Sequence, residues 1–238
     1  VVAGRPFLIA EWHHVLGLTY PADEALLAAH LPRGAQIDEL GGSPRVSLVA
    51  FGFRHTRVHG VAIPGHVTFP EINLRFYVRM HGARAVVFIR EFVPRPAIAV
   101  VARLLYNEPY RTIPMRETVI APGSGPRARL GVRHRFGARH RQRIEAWADP
   151  AARTPDPDSP EHWLTHHAVG IGSARDGRAR SYRVEHPLWA LHEVTDLQVD
   201  VDFAALYGDA WGHLAGMSPS HVTLAAGSAV RISPPADA

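Results

Sequence analysis

Along FPEINLRFYVRM, residues 69–80, apolar and polar positions alternate with a period of two. Successive side chains of a strand point to opposite faces. Ile72, Leu74, Phe76, Val78 and Met80 therefore share one face, and Glu71, Asn73, Arg75, Tyr77 and Arg79 the other. The first set is a core face. The second is either a solvated ladder of charges or the wall of a polar cavity. Strand patterns also cover 45–55, 84–93 and 220–232, and three more alternating segments fall within 112–147. HGA (81–83) is a turn, so 69–80 and 84–93 are expected to form an antiparallel hairpin. Asp176-Gly177 is a second hairpin signal. SYRVEHPLWALHEV (181–194) reads as a strand broken at Pro187.

Helical spacing is confined to a few stretches. Ile98, Val101, Ala102 and Leu105 predict a helix over 96–106 that Pro109 ends. A short helix near 22–31 is stopped by Pro32 and Gly34, another starts at 159–167 with Ser159 as its cap, and 202–211 is a third short candidate. DPAARTPDPDSP (149–160) reads as a surface loop and 233–238 as a frayed tail. Many strands with few helices give an α+β class that is mostly antiparallel β, a barrel or sandwich. One domain over 1–238 is expected, and no solenoid-period repeat is found.

Composition narrows the chemistry. The chain has no cysteine, which excludes disulfides and thiolate nucleophiles or ligands. All 26 basic side chains are arginine, so no lysine amine is present to form an imine with a carbonyl. Sixteen histidines include the pairs His13-His14, His55 with His59, and His166-His167. His55 and His59 would stand about 13 Å apart on a straight strand, and neither a metal nor a cofactor is expected. No apolar run is long enough for a membrane span. FLIA (7–10) is too short for the core of a secretion signal, so the cytoplasm is the expected location. A homo-oligomer is compatible with the sequence. The net charge of +4 and the run RARLGVRHRFGARHRQR (127–143) raise a polyanion-binding reading, with Arg127, Arg129, Arg133 and Arg135 at strand spacing. A solvated outer sheet face explains the same run, no nucleic-acid motif accompanies it, and a nucleic-acid partner is not expected.

The order of the pieces resembles the YqjF-like proteins, bacterial proteins of the acetoacetate decarboxylase-like superfamily. FPEINLRFYVRMHG, the strand after it, ARLLYNEPY and HPLWALHEV carry the resemblance, which runs from about Trp12 to 186–194. It implies a cone-like antiparallel β-barrel around an internal cavity, with flanking helices. In the decarboxylases an arginine precedes a proline by six positions and the imine-forming lysine follows that proline. Arg103 and Pro109 keep that spacing here, but Tyr110 stands at the lysine position and Arg111 after it. Glu71 is similar to an active-site glutamate of those enzymes. Their N-terminal substrate-positioning arginine has no counterpart among Trp12, His13 and His14, and His166-His167 follows WLT where an acidic-basic pair was expected.

These readings converge on a cavity for a small carbonyl or carboxylate compound. Glu71 would carry a proton, Tyr110 donate a hydrogen bond, Asn73 orient the group, and Arg75, Arg103 and Arg111 hold anionic oxygens. His186 joins as a substrate-binding candidate because Pro187 and Trp189 give it a defined neighbourhood. Enolisation, dehydration or cyclisation without a covalent intermediate fits such a set, and a non-catalytic binder or sensor is the rival. A tight Glu71–Arg75 pair would instead mark a structural ion pair.

Overall fold

The computed structural model describes residues 5–123, 128–138, 141–173 and 178–238. From the N-terminal side, β1 (Leu8–Pro21), helix α1 (Glu24–Ala28), β2 (Gln36–Ile37), β3 (Arg45–Val58), β4 (Phe69–Met80) and β5 (Ala83–Val93) lead to helix α2 (Pro96–Leu105). There follow β6 (Tyr110–Thr112), β7 (Met115–Ile120), β8 (Leu130–Phe136), β9 (Gln142–Arg153) and helix α3 (Pro160–Thr165). The last part holds β10 (Val169–Ser173), β11 (Ala179–Glu185), β12 (Leu191–Asp200), helix α4 (Phe203–Tyr207), a 3₁₀ turn over Asp209–Leu214, β13 (His221–Ile232) and β14 (Ala236–Asp237).

The strands join in the order β14-β11-β10-β5-β4-β3-β1-β13-β12-β9-β8-β7, with β2 added on β4 and β6 on β5. Pairing is antiparallel except where β5 meets β10 and β6. A further pairing of β11 with β13, Val184 opposite Ile232, closes seven of the strands into a ring. The architecture is thus the mostly antiparallel one expected.

Both faces of β4 are buried. Ile72, Leu74, Phe76 and Val78 belong to the main core with Leu16, Leu48, Phe92 and Phe203. On the opposite face Phe51 of β3 stands across from Glu71, and Val49 across from Asn73. That face carries a second core containing Val49, Phe51, Phe53, Phe69 and Trp189. At the far end Arg79 leaves the interior and binds Asp38 at 2.7 Å. Hairpin β4–β5 turns at His81 and Gly82, with φ of 50° and 79°. Two left-handed central residues match the twist of the flanking strands.

Several boundaries differ from the sequence reading. Residues 8–21 form β1, a central strand between β3 and β13, where the sequence reading placed no strand. Its pattern is broken by a bulge at His13-His14, with His14 at φ 51°. Helix α1 is five residues long rather than ten. The loop expected from residue 149 begins after Arg153, because β9 continues pairing with β12 as far as Arg153 opposite Leu191. The tail is not frayed throughout: Ala236 and Asp237 pair with Ser181 and Arg180. Asp176-Gly177 lies outside the described residues, though β10 and β11 on either side of it do pair antiparallel, Ser173 with Ala179.

Candidate functional site

Register builds the site. β4 sets Asn73 beside Glu91 of β5, and β5 sets Glu91 beside Tyr110 of β6. Glu71, two residues before Asn73, shares its face. Helix α2 starts at Pro96, whose missing N–H costs nothing in a first turn. It ends at Tyr106, and Asn107 then takes φ 56°. A left-handed residue just past a helix end redirects the chain. Asn107 Nδ2 donates to the Ser173 carbonyl and fixes that turn. Glu108 and Tyr110, of equal parity, thereby enter the same interior as Glu71.

The resulting cluster is dense in acid. Glu71 is 3% exposed, and Glu91 and Glu108 are buried with it. Tyr110 donates its hydroxyl to Glu71 Oε2 at 2.9 Å, and Asn73 Nδ2 donates to Oε1 at 3.2 Å. Tyr182 of β11 faces Glu108, with its ring lying over Gly170 of β10. One oxygen each of Glu91 and Glu108 is buried without a hydrogen-bond partner. Burial disfavours the charged form of all three carboxyls. It lifts Glu71 to about 7, against the pull of Tyr110 and Asn73. It lifts Glu108 to about 8, helped by the neighbouring charge of Glu71. Glu91, pressed by burial and by both other carboxylates, lies well above the usual range.

This acid floor opens into a cavity of about 190 Å³. The walls are apolar: Phe7, Phe53 and Phe69, Ile98 and Val101 from α2, and Val61 and Ile63 from the 59–66 loop. Glu71, Glu108, Tyr110 and Tyr182 are among its few polar lining residues, and no arginine lines it among the described residues. Val61, Ile63 and Val101 are exposed at its rim.

The expected site residues divide. Glu71, Asn73 and Tyr110 converge. Arg75 makes no ion pair with Glu71 and lines two smaller voids instead. Arg103 lies elsewhere: it is exposed on α2, its Nε donates to the Ala99 carbonyl, and it does not line the cavity. Arg111 follows Tyr110 along a strand and is exposed on the other side. His186 stacks on Trp189 at 4.0 Å and borders one of the smaller voids with Arg75, away from the acid cluster. Sequence reading missed Glu91, Glu108 and Tyr182. The alternation of IREFV and the YNEPY turn held a signal for the first two; Tyr182 becomes visible only through pairing of β11 across the ring.

Several of the other candidates have structural partners. Arg133 clamps Glu145 through two hydrogen bonds of 2.7 and 2.8 Å, and Arg129 lies over the Trp147 ring. Leu130, Val132 and Phe136 between them are buried. Arg127, at the start of that stretch, lies outside the described residues. His55 reaches Glu11 at 3.2 Å. No group of three His, Asp or Glu among the described residues is arranged to hold a metal.

A family model described as an uncharacterized conserved protein, DUF2071, matches residues 9–229. The chain belongs to this family. Protein YqjF of Bacillus subtilis (strain 168), itself uncharacterized, is 30% identical over 100 residues, 42% of this chain and 41% of YqjF. The matched stretch therefore spans less than half of that relative. Among solved structures, an acetoacetate decarboxylase-like enzyme from Sphingomonas wittichii RW1 superposes with a TM-score of 0.65 at 14% identity, covering 99% of this chain and 94% of the enzyme. The enduracididine biosynthesis enzyme MppR, in complex with pyruvate, gives a TM-score of 0.61 at 14% identity over 98% of this chain and 89% of MppR. At such identities the likeness concerns the fold, which in this DUF2071 protein is acetoacetate decarboxylase-like. No helix among the described residues is long and apolar enough to cross a membrane.

Proposed function

We propose that the protein binds a small, mainly apolar carbonyl compound in the 190 Å³ cavity and promotes its enolisation by proton transfer. The carrying observation is a buried carboxyl, Glu71, held by Tyr110 on the floor of an apolar pocket that no arginine lines among the described residues. Carboxylate ligands fit this cavity less well than neutral ones, because two carboxyls, Glu71 and Glu108, and no arginine line it among the described residues. The MppR complex shows that a protein of this fold takes a small carbonyl compound, pyruvate.

Burial raises both lining carboxyls, Glu71 to about 7 and Glu108 to about 8, so each can take up or release a proton near neutrality. Glu71 removes the proton from the carbon next to the carbonyl, and the released electron pair moves onto oxygen. Glu108 gives that oxygen its proton, and an enol results. Reversal regenerates the ketone, so atoms balance with no outside reagent. Tyr110 holds Glu71 in place and has no amine with which to form an imine.

The test is deuterium exchange. A homologous series of methyl ketones is incubated with the protein in D₂O, and loss of the α-proton signal is followed by NMR. Exchange is expected to exceed that without protein, and Glu71→Gln should retain binding while losing about 10²–10⁴-fold in exchange rate, the usual share of a positioned acid or base. Ketones that bind but exchange no faster than when free would establish a non-catalytic binder instead. If no ketone binds, the carbonyl reading fails.

A further inference from the structure

Arg75 is an anomaly of charge. Arg54, Arg79, Arg84 and Arg133 each meet a carboxylate. Arg75 lies partly buried inside the strand ring, yet among the described residues it makes neither an ion pair nor a hydrogen bond, and its Nε is buried without a partner. Arginines are seldom withdrawn from water unpaired, because the charge loses hydration without a replacement.

The Arg75 side chain borders a chamber of about 30 Å³ that shares Tyr182 with the apolar cavity. That is room for a small ion, given that one buried water needs roughly 10–15 Å³. Trp12, Thr165, His167, Tyr182 and His186 are its other polar lining residues, and no Asp or Glu lines it among the described residues. Trp12 Nε1 and both ring nitrogens of His167 are also buried without partners. His167 is 8% exposed. Its two nitrogens cannot both lack hydrogen bonds without cost. Guanidinium, indole and imidazole side chains thus line one small space that no carboxylate borders among the described residues.

We propose that this chamber is an anion site that takes a planar carboxylate-type oxyanion, held by Arg75 and completed by Trp12 and His167. The guanidinium fork matches two oxygens of such a group, and the indole N–H supplies a further donor. The apolar face of Trp189, on which His186 is stacked, limits the space to something small. The site is separate from the acid floor and does not depend on the proton role of Glu71. Its ligand is either a free ion such as formate or bicarbonate, or the carboxylate end of a longer molecule.

Isothermal titration with formate, bicarbonate and butyrate at constant ionic strength tests the assignment. Saturable binding of at least one is expected at millimolar concentration. The affinity should fall by at least about tenfold in Arg75→Gln, as for loss of a charge-assisted pair, and should not fall in Glu71→Gln. Trp12→Phe, which deletes one N–H and leaves the arginine in place, should weaken binding about threefold and keeps the test decisive if Arg75→Gln does not fold. Tighter binding of butyrate than of formate identifies the head of a longer ligand; the reverse order identifies a free ion, and both support the site. Folded wild type that binds none of the three, or binding untouched by Arg75→Gln or Trp12→Phe, overturns it.

Discussion

Glu71 accepts hydrogen bonds from Tyr110 and Asn73, and still desolvation lifts it to about 7. The two donors favour the ionised form and burial disfavours it; burial wins because the carboxyl is almost wholly withdrawn from solvent. Tyr110→Phe removes the shorter bond, from 2.9 Å, and keeps the ring. The Glu71 titration midpoint should then move above 7, read by NMR of the labelled carboxyl carbon, and any activity should gain the same shift in its acidic limb. A midpoint that falls would mean that water enters the space left by the hydroxyl. At this scale the sequence was informative where chemistry sits on one strand. Glu71 and Asn73 lie two residues apart on β4, and Tyr110 was marked by its place after Pro109. Arg103 misled because its spacing to Pro109 is kept although the helix turns it outward. Glu91 escaped because its meaning lies in a cross-strand register, Asn73 beside Glu91 beside Tyr110, which no local pattern contains.

Elements position these groups through close approach as much as through pattern. Strand β10 places Gly170 opposite Tyr182, and a Cβ there would overlap the Tyr182 ring. At Gly172 a Cβ would stand 3.4 Å from Glu108 Oε1, an ordinary contact. Gly170→Ala is therefore expected to destabilise the fold by about 1–3 kcal/mol and to displace Tyr182 from between the cavity and the anion chamber. Gly172→Ala should be nearly neutral, and equal effects in denaturant titrations would contradict the assignment. Helix α2 offers a complementary change. Ala102 lines the cavity, whereas Leu104 is 63% exposed. Ala102→Phe should block uptake of an apolar fluorescent probe while Leu104→Ala leaves it intact. The hairpin β4–β5 and helix α2 were legible from alternation and spacing. Strand β1 was not, because two histidines at a bulge and Gly17, packed against Thr223, interrupt its apolar run. What qualifies it as a strand is its place between two others, a tertiary fact.

Across the whole molecule, buried acids and buried histidines set opposing slopes of stability against pH. A carboxyl raised in the folded state binds its proton more tightly folded than unfolded. Its contribution is intact at low pH and erodes as pH rises from about 4.5 through the folded value. For Glu71 and Glu108 that erosion runs to about 7 and 8. His14 and His134 behave oppositely: burial holds each at about 4, so their contribution is intact above about 6.5 and is lost as pH falls toward 4. Stability should be greatest at mildly acidic to neutral pH and decline on both sides. Glu108→Gln separates the slopes, because it removes one ionisable acid and leaves the histidines alone. Near pH 9 the variant should melt higher than wild type by at least about 4 °C, since each unit of elevation is worth about 1.4 kcal/mol and a chain of this size shifts by about 2–4 °C per kcal/mol. Near pH 4.5 the two proteins should melt together, both carrying a neutral side chain there. A difference independent of pH would show that Glu108 acts through packing against Gly172 and Tyr182, and that its ionisation places no load on the fold.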